Sequence, residues 1–249
     1  MLEVRGLGRA FLGVAALRAV DLHVRPGEIL GLIGPNGSGK TTLFDCLTGM
    51  QRPDAGRITF RGQDITGGRP DEIARLGLVR VFQNVRVFGR LSVRENLLAS
   101  GQEHRERMRW ARLPGLPRLA RAERADLERG ASLLARVGLA GRLDVPAGLL
   151  SYGQQKLLAT AMALMTRPRL LLLDEPVAGV NPSTIEMVKA WIRELNAGGL
   201  TVLLIEHNVE VVTELCGRIA VLDAGEKIAE GPPEAIRRDA RVLEAYLGR

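Results

Sequence analysis

Gly34-Pro35-Asn36-Gly37-Ser38-Gly39-Lys40-Thr41 decides the reading of this chain. It meets the phosphate-binding loop pattern G-x-x-x-x-G-K-[ST] at every fixed position. Glu28 to Ile33 before it reads as a buried strand, and Lys40 to Leu47 as the helix that follows, which is the context the pattern needs. Backbone N–H groups of a glycine-rich loop converge on an anion, and the helix N-terminus adds partial positive charge. A side chain on the inner face of the loop would keep phosphate out, so glycines are expected there. Lys40 reaches the terminal phosphates as a point charge, and the Thr41 hydroxyl is placed to ligate Mg²⁺. Thr42 follows it on the same helical turn. By itself the loop says only that a nucleoside triphosphate binds.

The chain has 249 residues, 46% of them hydrophobic, enough for one large α/β domain or a core domain with a small subdomain. The longest candidate for a membrane span, from 157 to 173, is broken by Arg167, Pro168 and Arg169. The N-terminus runs directly into a strand-like segment without the pattern of a signal peptide, so a soluble, cytoplasmic chain is expected. Cys46 and Cys216 sit in apolar surroundings without metal-ligand spacing and read as buried free thiols. The net charge is +7, carried almost wholly by arginine, since the lysines are only Lys40, Lys156, Lys189 and Lys227. Such a balance invites a nucleic-acid or membrane partner. No basic and aromatic platform for bases accompanies it, which favours a merely arginine-rich surface.

Outward from the loop, Val4 to Val24 reads as two strands turning at Gly13, Arg57 to Phe60 as a strand, Asp71 to Leu76 as a short helix, and Leu78 to Gln83 as a strand ending in a loop. A helical stretch begins at Ser92 and runs to about Val137, interrupted at Arg112-Leu113-Pro114-Gly115-Leu116-Pro117. Its arginines (Arg105, Arg107, Arg109, Arg112, Arg118, Arg121, Arg124) mark it as the most solvent-like segment, a small helical subdomain inserted into the core. Tyr152 to Met165 reads as a helix capped by Ser151. Arg169 to Asp174 and Thr201 to Ile205 read as apolar strands around an amphipathic helix, Ser183 to Asn196, which Gly198-Gly199 stops. Apolar strands alternating with helices mean a parallel sheet covered on both faces. After His207 the expectation is a hairpin, Ile219 to Ala229 with its turn near Ala224-Gly225, and one last helix, Ala240 to Leu247.

Four features fall at strand ends, where ligands of open α/β sheets bind. Leu170-Leu171-Leu172-Leu173-Asp174-Glu175-Pro176 places the Asp174 carboxylate beside the phosphates. Glu175 is expected to point elsewhere by strand alternation, where it can polarise an attacking water. Leu150-Ser151-Tyr152-Gly153-Gln154-Gln155 opens a helix with a hydroxyl, a bare glycine backbone and free N–H groups, a second anion site. One chain with one triphosphate does not need two such sites. The resolution is a head-to-tail dimer in which each second site closes the partner's first. His207 ends the strand Val202 to Ile205 and is expected to contact the γ-phosphate. Gln83 ends Val79 to Phe82, where its amide can reach Mg²⁺ or the water and report phosphate occupancy.

With these residues the chain resembles an ATP-binding-cassette (ABC) ATPase from end to end. Gly34 to Thr41 is similar to the Walker A loop, Leu170 to Glu175 to the Walker B strand, Gln83 to the Q-loop glutamine, Leu150 to Gln155 to the signature motif and His207 to the switch histidine, in the family's order. Ser151-Tyr152-Gly153-Gln154-Gln155, Ala178-Gly179-Val180-Asn181-Pro182, Ile205-Glu206-His207-Asn208 and the ending Arg241 to Gly248 are similar to branched-chain amino-acid importer ATPases, in particular the larger of their two paired subunits. Importers of urea or short amides and a lipopolysaccharide-export ATPase share much of this pattern.

The resemblance implies a P-loop cassette with a mostly parallel core sheet and an N-terminal antiparallel β subdomain (1–90 with 165–249), and a helical subdomain (91–164) inserted into it. It implies ATP and Mg²⁺ as ligands, with Thr41, Gln83 and Asp174 at the metal. Gly34 to Thr42 hold the nucleotide, and Ser151, Gly153 and Gln154 approach it from a second chain. Glu175, His207, Lys40 and Gln83 take part in catalysis. Phe11 either stacks on adenine or is a strand-core phenylalanine. Asn181 stands where many such ATPases carry an aspartate. Implied partners are a second ATPase subunit, identical or not, two transmembrane permease subunits and, indirectly, a solute-binding protein, with the chain on the cytoplasmic membrane face and no nucleic acid. A soluble nucleic-acid-acting ABC ATPase is the rival that the basic charge favours. A monomeric P-loop kinase or GTPase is another, but it gives no reason for Leu150 to Gln155.

Overall fold

The structure is a computed structural model that describes residues 1–101 and 117–247. Arg105, Arg107, Arg109, Arg112 and Gly248 lie outside the described residues, as does the interrupted stretch up to residue 116. The chain divides into two compact units: Met1–Arg80, Arg169–Glu175 and Ile192–Arg249 form the first, Val81–Pro168 and Pro176–Trp191 the second.

In the first unit, β1 (Leu2–Phe11) and β2 (Val14–Val24) make a long antiparallel hairpin around the left-handed residues Leu12 and Gly13. Alternate residues Leu2 and Val4 on β1, and Val20, Leu22 and Val24 on β2, face the core, the period of two that a half-covered sheet requires. With β4 (Ala55–Phe60) and β5 (Gln63–Asp64) they form a four-stranded sheet in the order β2-β1-β4-β5.

The second sheet holds β3 (Ile29–Ile33), β6 (Leu78–Val81), β7 (Leu170–Asp174), β8 (Thr201–Ile205), β9 (Arg218–Asp223) and β10 (Glu226–Gly231) in the order β10-β9-β3-β8-β7-β6. Every residue of β3, β7 and β8 is buried, as continuous apolar strands of a sheet covered on both faces must be. Each fully buried leucine of Leu170 to Leu173 stabilises the fold by about 1.5–3 kcal/mol. The parallel pairs align Asp174 with Ile205 and Leu32 with Ile205, so the carboxyl ends of β3, β7 and β8 finish in one row.

Helix α1 (Lys40–Leu47) follows β3, and α2 (Pro70–Arg75) precedes β6. In the second unit α3 (Val93–Ser100) starts at a capping box between Ser92 and Glu95, and α4 (Pro117–Ala135) and α5 (Tyr152–Met165) pack with it. Gly130 of α4 leaves room for Leu97 of α3, whose Cδ1 would lie 2.7 Å from an added Cβ. Helix α6 (Pro182–Ala197) joins β7 to β8.

The expectation for the segment after His207 needs correction. Besides the hairpin β9–β10, whose turn lies at Ala224-Gly225 as expected, there are α7 (Val209–Leu215) and α8 (Pro233–Arg238) ahead of the last helix α9 (Ala240–Leu247). The β-branched Val209, Val211, Val212 and Thr213 disfavour a helix in isolation. Tertiary packing overrides them. Asn208 caps α7 by accepting from the N–H groups of Glu210 (3.0 Å) and Val211 (3.2 Å), and Gly31 of β3 lets the helix approach. A Cβ at Gly31 would stand 2.9 Å from Val212 Cγ1 and 3.0 Å from Cys216 Sγ.

The two thiols are buried as expected. Burial pushes Cys46 up to about 11 and Cys216 to about 12, so both remain protonated at neutral pH. Among the described residues no helix is long and apolar enough to cross a membrane.

Candidate functional site

The phosphate-binding loop closes around its own lysine. The Lys40 ammonium is buried and donates to the carbonyl oxygens of Gly34 (2.7 Å) and Pro35 (2.8 Å) and to Ser38 Oγ (3.3 Å). Burial holds it below the ordinary lysine value, against the opposing pull of Glu175 and Asp174. Thr41 is exposed at the start of α1 and Thr42 half-buried, while Asn36 and Gly37 form the exposed crest of the loop.

The three loop glycines have different reasons. Gly37 has φ +78° and open space around it, so only its left-handed backbone asks for glycine. Gly34 and Gly39 are crowded from behind by protein, in addition to any demand from a phosphate. A Cβ at Gly34 would stand 2.1 Å from the Leu222 carbonyl oxygen. One at Gly39, φ +103°, would stand 2.5 Å from the Ala16 carbonyl oxygen. The hairpin turn is stitched into the same place: Gly225 N–H donates to Ser38 O (3.1 Å), and Arg18 N–H to Gly225 O (2.8 Å). Gly39→Ala is therefore expected to lower stability by about 1–3 kcal/mol through backbone strain, with added overpacking. Gly37→Ala should cost less, about 1–2 kcal/mol. Urea unfolding of both variants checks this, and equal losses would remove the crowding at Gly39 as a cause.

At the end of β7 the two acidic residues separate. Asp174 is buried, and its Oδ2 accepts from Arg80 Nη2 at 2.6 Å. Glu175 lies beyond the strand with φ +49°, its N–H donating to Ile205 O (2.9 Å) and its Oε1 standing 2.9 Å from His207 Nε2. The divergence expected from strand alternation thus arises from a left-handed turn at Glu175. The buried Glu206 carboxylate accepts from the N–H groups of His207 (3.2 Å) and Asn208 (3.5 Å), which fixes the backbone that presents the imidazole. Phe11 is 40% exposed near the β1–β2 turn, with the Arg9 guanidinium 4.7 Å from its ring centroid. It is therefore not a closed core residue, and an exposed ring is what base stacking requires.

Asp174 and the Thr41 hydroxyl are hard oxygen donors, the chemistry that suits Mg²⁺. Among the described residues no group of three or more His, Cys, Asp or Glu could hold a metal by itself.

In the second unit, Ser151 Oγ accepts from Gln154 N–H (3.3 Å) while Gln154 Oε1 accepts from Ser151 N–H (3.1 Å), a complete capping box. The Ser151 hydroxyl keeps its own proton to donate. Among the described residues no acceptor takes the N–H of Tyr152 or Gly153, so the helix start presents donors outward. A Cβ at Gly153 would meet Val180 Cγ1 at an ordinary 3.4 Å, so among the described residues nothing demands glycine there. Lys156 anchors this helix to Ala178 O (2.7 Å). Asn181 Oδ1 accepts from Thr184 N–H (2.9 Å) and Ser183 Oγ (2.8 Å), capping the start of α6, a task aspartate performs equally well. Gln83 is exposed in this unit, two residues beyond β6.

Arg80 is unanticipated from the sequence. Its signal is a lone arginine within the otherwise apolar strand Leu78–Val81, since an arginine is almost never fully buried unless paired.

The ABC transporter family model matches residues 17–178, and the model for the branched-chain amino acid ATP-binding cassette transporter matches 226–249. The high-affinity branched-chain amino acid transport ATP-binding protein BraF of Pseudomonas aeruginosa is 43% identical over 249 residues, 100% of this chain and 98% of that protein. The lipopolysaccharide export system ATP-binding protein LptB of Acidithiobacillus ferridurans is 36% identical over 248 residues, 100% of this chain and 97% of that protein. The crystal structure of the ADP conformation of MJ1267, an ATP-binding cassette of an ABC transporter, superposes with a TM-score of 0.85 at 33% identity, covering 100% of this chain and 99% of that one.

Proposed function

Since this chain belongs to the ABC transporter family of ATP-binding cassettes, an ATPase by family, we propose that it energises an importer of branched-chain or related amino acids. In this reading it works as one cassette of a head-to-tail pair docked on two permease subunits at the membrane surface. The amino-acid part rests on one observation, the match of residues 226–249 to the branched-chain cassette model. The full-length similarity to BraF agrees with it.

The chemistry follows from the row of strand ends. The loop N–H groups and Lys40 bind the phosphates, while Phe11 offers its open face to adenine. Asp174 and Thr41 would hold Mg²⁺, which would supply positive charge against the terminal phosphates. Glu175 orients the attacking water and accepts its proton, and His207, 2.9 Å away, aligns that carboxylate and donates toward the γ-phosphate. Phosphoryl transfer needs little covalent help, so positioning and charge account for most of the rate. Ser151, Gly153 and Gln154 of the other cassette supply outward donors to the same phosphates. ATP binding then closes the pair and hydrolysis reopens it, and that motion is passed to the permeases through the helical subdomain.

The test is reconstitution. The chain is isolated from detergent-solubilised membranes, its co-purifying permeases are placed in proteoliposomes, and ATP hydrolysis is measured with the cognate binding protein loaded with leucine, with urea, or with lipopolysaccharide in the membrane. Stimulation by leucine-type ligands is expected. Stimulation only by urea or lipopolysaccharide would move the substrate assignment. Nuclease-sensitive material in place of a membrane partner, with steep salt dependence, would overturn the transporter reading.

A further inference from the structure

Arg80 carries a role that none of the motifs assigns. Its guanidinium is 5% exposed and bridges two carboxylates, Nη1 to Asp45 Oδ1 at 2.5 Å and Nη2 to Asp174 Oδ2 at 2.6 Å. The Phe44 ring lies 5.5 Å from its Cζ, closing another side. Asp174 is buried to a similar degree, so each charge is compensated by the other. Asp45 stands four residues after Thr41 on α1, so the two share one face of the helix, one turn apart. Among the described residues nothing donates to Asp174 Oδ1, which leaves that oxygen open while Oδ2 is held.

We propose that Arg80 is a positioning residue for Mg²⁺: by clamping Asp45 to Asp174 it sets the spacing between the Thr41 hydroxyl and the open oxygen of Asp174. The proposal rests on the ATPase reading given above. The guanidinium is a rigid planar fork, so it fixes the separation of the two carboxylates. A lysine is a single point charge on a flexible stem and would not. The clamp registers the helix that carries one metal ligand against the strand end that carries the other. A purely structural ion pair would affect unfolding alone, and buried pairs are often near neutral for stability.

The experiment measures the affinity of the full chain for a fluorescent ATP analogue, in EDTA and across a Mg²⁺ titration, for the wild type, Arg80→Lys and Asp45→Asn. In the wild type, affinity should rise with Mg²⁺. In Arg80→Lys the Mg²⁺ concentration at the midpoint should increase about tenfold or more, as for other residues that orient metal ligands. Its affinity in EDTA should match the wild type. Asp45→Asn, which touches no proposed metal ligand and lies nearer the surface, should shift the midpoint in the same direction. If Arg80→Lys does not fold, Asp45→Asn decides. A Mg²⁺ curve superimposable on the wild type in either folded variant overturns the clamp, and so does an equal loss of affinity in EDTA. A wild-type chain whose nucleotide affinity ignores Mg²⁺ overturns the metal reading itself, and the clamp with it.

Discussion

Glu175→Gln lowers ATP turnover by roughly 10²–10⁴-fold, the usual contribution of a general base, and leaves ATP binding in place. The amide occupies the same space and can still meet His207 Nε2, now 2.9 Å from the carboxylate, but it cannot accept a proton from water. The residues proposed to hold the nucleotide, Gly34 to Thr42, are untouched by the change. Glu175 is also held at φ +49°, a conformation that costs about 1–3 kcal/mol in a non-glycine residue. Strain of this kind persists where the surroundings over-determine it, and here the Glu175 N–H to Ile205 O bond fixes the turn. The variant should accumulate as an ATP-bound pair, because closure remains possible and reopening is slow. Turnover at saturating ATP, with affinity measured separately, checks the expectation. Full activity in Glu175→Gln would remove Glu175 from its role.

Many of the strands and helices were legible because their signals are local. Lys40–Leu47, Tyr152–Met165 and Thr201–Ile205 follow from a glycine-rich start, a serine cap at Ser151 and a continuous apolar run. The miss after His207 has the opposite character. Helix α7 is rich in valine, and it forms because Gly31, 178 positions earlier than Val209 by subtraction, opens space for it on a neighbouring strand. No window of sequence around Val209 contains that information. The same holds within the site. Lys40, Asp174, Glu175 and His207 could be singled out because each lies at or just beyond the border of a readable element. Arg80 could not, because its function depends on which carboxylates the sheet order brings beside it. The glycine pattern was legible but its full reason was not: Gly34 and Gly39 answer to the carbonyls of Leu222 and Ala16, which only the fold places there.

Hydrolysis by this chain should vanish on dilution, the second large effect. One chain carries a phosphate loop and also a helix start at Ser151 where, among the described residues, no acceptor takes the N–H groups of Tyr152 and Gly153 or the proton of the Ser151 hydroxyl. Gly153 lies in the first turn of that helix, where glycine costs helix stability and where a methyl group would fit at 3.4 Å from Val180. A glycine that none of the described residues requires is explained by close approach of something from outside, and a triphosphate on a second cassette fits the donors presented. Lys40 and Thr41 should therefore bind ATP in a single chain, while turnover awaits the partner. The direct measurement is ATP turnover per chain over a dilution series, with the association state followed by sedimentation in the same buffer. ATP should stay bound, and turnover per chain should fall in step with the fraction of paired cassettes, toward zero where sedimentation shows only monomer. Undiminished turnover by demonstrably monomeric protein would contradict it.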